Sequence, residues 1–139
     1  VTDPIVTLIR QGIKANLDDA IDTCEVYDHF APGDPIATYL WVYPDATDYT
    51  ESAGTDARRF IVEAIASQTD PESAEDKLDS LMSNGDESVK KAIESDPTLG
   101  GIAVGIFVRS CTGYLFFERA GTNYLGVQWT VDVHAPNED

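Results

Sequence analysis

The chain has 139 residues, enough for one domain whose core needs neither a disulfide nor a metal to close. Its 25 acidic residues face only 9 basic ones, a net charge of −16. That balance argues against autonomous nucleic-acid binding and against docking on anionic membranes, both of which need clustered lysine and arginine. Hydrophobic residues make up 42%, which sets the chain apart from disordered sequences, and no apolar run approaches the length of a membrane span.

Four lysines stand against sixteen aspartates. This balance is similar to that of proteins from salt-in halophiles, where screening relieves the self-repulsion of so charged a fold. A second reading of the acidity, compatible with the first, is a surface that must not adhere to nucleic acid nearby. No basic segment followed by an apolar one opens the chain, so no secretory signal is expected. Cys24 and Cys111 are too few for a disulfide framework, and two reduced, buried thiols are expected.

Asp3-Pro4 predicts a helix start, with an acidic cap before proline at the first helical position. Ile5, Leu8, Ile9, Gly12, Ile13 and Leu17 then mark one helical face. A short strand is expected around Cys24–Phe30 and a turn over residues 31–35. An aromatic-rich strand follows over Ile36–Tyr43. Pro44–Ala57 reads as a long polar loop, a length that is usually functional or mobile. A strand over Arg58–Ser67 places Phe60, Val62, Ala64 and Ala66 on one face.

Residues 74–95 carry helical spacing, with Leu78, Leu81 and Met82 in one apolar patch and Val89 and Ile93 in the next. Asn84-Gly85 breaks the region in two, and Asp96-Pro97 ends it. Three strand-like runs follow, with turns near Ser110–Gly113 and Ala120–Asn123. Ile102, Val104, Ile106 and Val108 share one parity. Leu125, Val127, Trp129, Val131 and Val133 do the same, opposite Gly126, Gln128, Thr130, Asp132 and His134. Residues 134–139 are expected to fray. The order helix, three strands, helix, three strands predicts an α+β fold in one domain spanning residues 1–139. It is a mainly antiparallel sheet with two helical regions packed on one face.

The residues point to no chemistry. There is no phosphate-binding glycine loop and no nucleophile elbow. Cys24 and His29 sit at an odd separation, which puts them on opposite faces of a strand. An EF-hand alignment on Gly85 assigns ligand positions to Ser80, Met82 and Lys91, which cannot serve. Asp132 and His134 share a strand face, but no nucleophile accompanies them. The expectation is a protein that is not an enzyme, with no cofactor and no metal.

Tyr39, Trp41 and Tyr43 share one parity, and Leu40 and Val42 the other. If Leu40 and Val42 face the helices, the three aromatics lie outward, where an aromatic stripe suggests an interface. With Asp45, Asp48, Tyr49, Glu51 and Asp56 of the polar segment, these make up the candidate interface residues.

The arrangement resembles tail terminator (tail-completion) proteins of long-tailed viruses. The resemblance rests on Asp96-Pro97-Thr98-Leu99-Gly100-Gly101 leading into the last sheet and on Gly121-Thr122-Asn123-Tyr124-Leu125-Gly126 leading into the final strand. It implies a virion protein assembled in the host cytoplasm, for this acid-rich chain that of a halophilic archaeon. It further implies a homo-oligomeric ring, typically a hexamer, that caps the tail tube and joins it to the head–tail connector. The tube protein and the connector or neck protein are then its partners. DNA passes through the lumen without specific binding, and no membrane is involved. The other readings are a different neck or head–tail completion protein, or a non-viral soluble binding module or small enzyme of a halophile.

Overall fold

A computed structural model describes residues 4–29, 38–52, 54–66, 71–119 and 121–136. The elements are α1 (Ile5–Ala20), β1 (Glu25–Tyr27), β2 (Tyr39–Ser52), β3 (Thr55–Ile65), α2 (Pro71–Met82), α3 (Val89–Glu94), β4 (Gly105–Arg119) and β5 (Thr122–Pro136). The strands form one sheet in the order β1-β2-β3-β5-β4. Every pairing is antiparallel except β1 with β2, which is parallel. This is the expected α+β fold, with three helices and five strands among the described residues.

Period-two patterning decides which face the helices cover. Leu40, Val42, Phe60, Val62, Ala64, Val127, Trp129, Val131 and Val133 all point to one side. There they form a single core with Ile9, Ile13 and Leu17 of α1, Ala74, Leu78 and Leu81 of α2, and Val89, Ala92 and Ile93 of α3. A two-residue alternation leaves no other way to bury these strands. The opposite face carries a small cluster of its own, made by Tyr39, Ile65 and Tyr124.

Several local expectations are corrected. Pro4, not Asp3, holds the cap position of α1, which starts at Ile5; Asp3 lies outside the described residues. The residues 31–35 assigned to a turn also lie outside them. β1 pairs with β2 in parallel, with Glu25 opposite Tyr39, within a sheet expected to be mainly antiparallel. Pro44–Ala57 is not a loop. Pro44–Ser52 continues β2, Thr55–Ala57 begins β3, and Ser52 pairs with Thr55 across a tight turn in which Gly54 adopts φ +87. A left-handed conformation there suits glycine. Pro44, Asp45, Ala46, Asp48 and Tyr49 are exposed at this end of the sheet.

The final region also differs. Ser110–Gly113 is strand, so there are two long strands rather than three. Irregularities between Val108 and Ser110 and between Gly113 and Leu115 absorb what reads as a turn. Such bulges insert a residue and bend a strand without ending it. Val104 precedes the strand and is exposed, whereas Ile106 is buried. His134, Ala135 and Pro136 end β5 paired with Ala57, Asp56 and Thr55 of β3 instead of fraying, and residues 137–139 lie outside the described set. Cys111 is exposed and Cys24 half-buried, against the expected burial of both.

The Asp96–Gly101 segment explains itself physically. The Asp96 carboxylate accepts hydrogen bonds from the Thr98 N–H (3.2 Å), the Thr98 hydroxyl (3.0 Å) and the Gly100 N–H (2.9 Å). Leu99, Gly100 and Gly101 follow in left-handed conformations, with φ of 51, 73 and 96. A non-glycine residue there is strained. Leu99 is compensated by full burial against Gly12 of α1, where a Cβ would come within 2.9 Å of the leucine side chain. Asn16 reinforces the corner by donating to the carbonyls of Ile93 (2.9 Å) and Asp96 (3.2 Å).

Three carboxylates around α2 and α3 titrate below their ordinary range. The Gly100 N–H and then the Thr98 hydroxyl hold Asp96 down. Lys77 and then Thr23 do the same for Glu87. Burial pushes Glu94 up, but Lys90 and the Val108 N–H outweigh it and lower it. A carboxylate whose folded value is depressed contributes stability above its unfolded value, about pH 4, and loses it as the pH falls through the folded value. Neutralising a net charge of −16 acts in the opposite direction, so the informative quantity is a difference. A variant carrying Glu87→Gln, Glu94→Gln and Asp96→Asn should melt below wild type at pH 6. The gap should shrink steadily below about pH 4. A gap that stays constant down to pH 2 in thermal melts would refute the coupling.

Candidate assembly surface

The sheet ends in two unlike edges. β4 is the terminal strand on one side and runs for fifteen residues. Its first half lies beside α3, and the Val108 N–H donates to Glu94 Oε2 at 2.9 Å. From Arg109 onward the exposed residues are Arg109, Ser110, Cys111, Thr112, Gly113, Tyr114, Phe116 and Glu118. Phe116 is 75% exposed, the most of any large hydrophobic residue in the described chain. Tyr114 donates its hydroxyl to Asp79 on α2, and that bond pushes the phenol up to about 12.

On the other side, β1 covers only Tyr39–Trp41 of β2. Among the described residues nothing else pairs on that side, so the rest of β2, through Ser52, forms the second edge. Pro44 is tolerated there because an edge strand beside a register shift does not need every N–H.

The candidate residues fall into separate environments. Tyr39, Trp41 and Tyr43 do lie on the face away from the helices, since Leu40 and Val42 are fully buried beneath them. Tyr39 is itself buried, with its ring edge-on to Tyr27 at 5.4 Å. Trp41 and Tyr43 are half-buried with ring centroids 4.5 Å apart. Tyr43 donates to Glu63 Oε2 at 2.7 Å and accepts from Gln128 at 3.3 Å. Burial, and then Glu63, push its phenol above the ordinary value. Asp45, Asp48 and Tyr49 are exposed near the hairpin end. Glu51 lies in β2, but its side chain falls outside the described residues. Asp56 is buried against Arg58, with Nη2 to Oδ2 at 3.4 Å.

Gly126 links the aromatic patch to the turn phrase that precedes it. A Cβ here would lie 2.4 Å from the Phe117 ring and 2.5 Å from the Ala64 carbonyl oxygen. Glycine therefore lets Phe117 fold down across β5 beside Tyr124.

Sequence reasoning misses a concavity on the same outer face, toward the hairpin end. It has a volume of about 410 Å³ and includes Arg59, Phe107, Arg109, Asp132 and His134 in its lining. Asp132 pairs with Arg109 (Nε 2.7 Å, Nη2 2.5 Å, both to Oδ2) and faces Arg59 (Nε 3.6 Å from Oδ1). The Asp132–His134 parity points toward this place, but the arginines arrive from β3 and β4 through register alone: Arg59 opposes Asp132, and Phe107 opposes it from the other side. Among the described residues no three His, Cys, Asp or Glu side chains gather as a metal would need.

No family model matches the chain, and no curated protein matches it. Among solved structures it is similar to a component of a virion particle, described as "Virion of native gene transfer agent (GTA) particle". The identity is 13%, over 93% of this chain and 92% of that one, with a TM-score of 0.43.

Proposed function

We propose that this chain is a non-enzymatic structural virion protein of the tail terminator type. In this reading its subunits form a ring, typically a hexamer, that caps the tail tube, ends its growth and joins it to the connector. The observation that carries the proposal is the pair of unlike sheet edges: fifteen residues of β4 on one side, the distal part of β2 on the other. A ring built head to tail requires each subunit to present two different, complementary surfaces. Strand edges supply directional backbone hydrogen bonds for that purpose, and they are a liability only in a protein that stays alone. The acidity fits a lumen that does not retain DNA in transit. The Asp96–Gly101 corner and the Gly121–Gly126 turn, which carry the resemblance to terminators, shape the start of β4 and the start of β5.

Lysines on an edge strand block pairing, because insertion between two strands would bury their charge. Thr112→Lys with Phe116→Lys alters two exposed side chains of β4. Negative-stain microscopy of wild-type protein with purified tail tubes should show rings and tubes of limited length. The double variant should keep its circular dichroism spectrum yet form no rings and leave tubes uncapped. Rings that persist in the variant would remove β4 from the interface. Absence of the protein from purified particles would end the virion reading, and rings that bind connectors but never tubes would identify a different neck protein.

A further inference from the structure

The outer-face concavity gathers guanidinium groups on an otherwise acidic chain. Nine basic residues serve the whole chain, and Arg59 and Arg109 meet here over one carboxylate. Asp132 is only 12% exposed, so its charge is committed inward, whereas the Arg59 and Arg109 side chains are 41% and 55% exposed. Asp132 offsets one of these two guanidinium charges, and Asp48 stands in the same lining. A guanidinium carries five N–H donors, so Asp132 does not exhaust those of the two arginines. The buried Arg59 Nε has no hydrogen-bond partner, since 3.6 Å to Asp132 is too long for one. Phe107 stands at the rim, 46% exposed. Asp48 is the other carboxylate in the lining, and it is solvent-exposed.

We propose that this concavity receives a carboxylate-bearing segment of a second copy of this chain, held by Arg59 and Arg109 and flanked by Phe107. A guanidinium pair pre-oriented by Asp132 takes a carboxylate through parallel N–H bonds. The concavity is open to solvent and has an aromatic rim, which suits a protein segment rather than a small enclosed ion. Charge complementarity selects the partner. A surface with 25 acidic residues repels itself, and a head-to-tail assembly of such subunits needs basic groups to set its register. The inference rests on the proposed self-assembly and specifies one contact within it.

The test compares wild type with the triple variant Arg59→Gln, Arg109→Gln and Asp132→Asn. The variant removes all three charges together and strands no buried ion. In sedimentation velocity the wild type should self-associate, and the triple variant should do so about tenfold more weakly with an unchanged melting temperature. The difference should narrow between about 0.1 M and about 1 M NaCl, as the screening length falls from ~10 Å to ~3 Å. Phe107→Glu, which changes only an exposed rim residue, should weaken association in the same way and keeps the test decisive if the triple variant unfolds. Equal association by wild type and both variants overturns the site and leaves the ring reading intact. A wild type that stays monomeric both alone and on tail tubes overturns both. Inorganic phosphate that binds wild-type monomers but not the triple variant, with association unaffected, assigns the concavity to a free anion and overturns the proposal.

Discussion

Replacing Trp129 with alanine is expected to destabilise the fold by about 3–5 kcal/mol. Trp129 is 2% exposed and sits mid-strand in β5, opposite Val62 of β3 and Cys111 of β4. Its ring belongs to the core that joins the sheet to all three helices, so no single element can move in to fill the space. Proteins of this size hold only about 5–15 kcal/mol in total, and the melting temperature should fall by roughly 10 °C or more. Urea denaturation followed by the fluorescence of Trp41, the other of the chain's two tryptophans, measures the effect directly. Trp129→Phe should cost distinctly less. A loss below about 1 kcal/mol for the alanine variant would mean that the helices do not pack on β5 as described.

Arg58→Met should cost a similar amount, about 3–5 kcal/mol, by a different route. Arg58 and Asp56 are 4% and 7% exposed and form an ion pair on β3. Arg58 also donates from Nη1 to Thr47 of β2 at 3.2 Å, and its guanidinium lies 5.9 Å from the Tyr49 ring. Removing the arginine leaves the Asp56 carboxylate buried and uncompensated. Arg58→Met combined with Asp56→Asn should therefore recover most of the loss, because the cost lies in the stranded charge and not in the missing contact. Chemical denaturation of the two single variants and the double variant gives the coupling energy. Strict additivity would refute this account. The pair also anchors the hairpin end that carries Asp45, Asp48 and Tyr49, so the single variant should show faster amide exchange across Ala46–Tyr49.

These two sites differ in how far the residues announce them. Trp129 is legible because it sits in an unbroken alternation from Leu125 to Val133, and one half of such a pattern must be buried. Asp56 and Arg58 carry no such signal. In an acid-rich polar stretch they look like solvated charges. They become buried only because β2 and β3 pair down to Ser52 and Thr55, with β5 alongside to Pro136. The Pro44–Ala57 segment reads as a loop for the same reason. Its residues are mostly polar even where they are buried, as Asp56 is opposite Ala135, so the apolar periodicity that reveals strands elsewhere is missing. The bulges in β4 mislead in the same direction, because a shifted alternation at Arg109 and Tyr114 imitates a turn.

The outward aromatics show both sides of this. Parity placed Tyr39, Trp41 and Tyr43 together and opposite Leu40 and Val42, as observed. Parity could not say that Tyr39 would be covered by Ile65 and Tyr124 while Trp41 and Tyr43 stayed half-open. That depends on Gly126, whose missing Cβ admits Phe117 beside the cluster, and on a strand more than eighty residues away in sequence.

By itself the amino-acid sequence determined the α+β class, the break between α2 and α3 and the inward faces of β3 and β5. Each follows from sterics, propensity or periodicity acting over a few neighbouring residues. The tertiary structure alone decided the order β1-β2-β3-β5-β4, the parallel pairing of β1, the two unlike edges and the meeting of Arg59, Asp132 and Arg109. These depend on which distant segments share hydrogen bonds and in what register. A one-residue slip would send every side chain of a strand to the other face, so no local pattern can encode the partner.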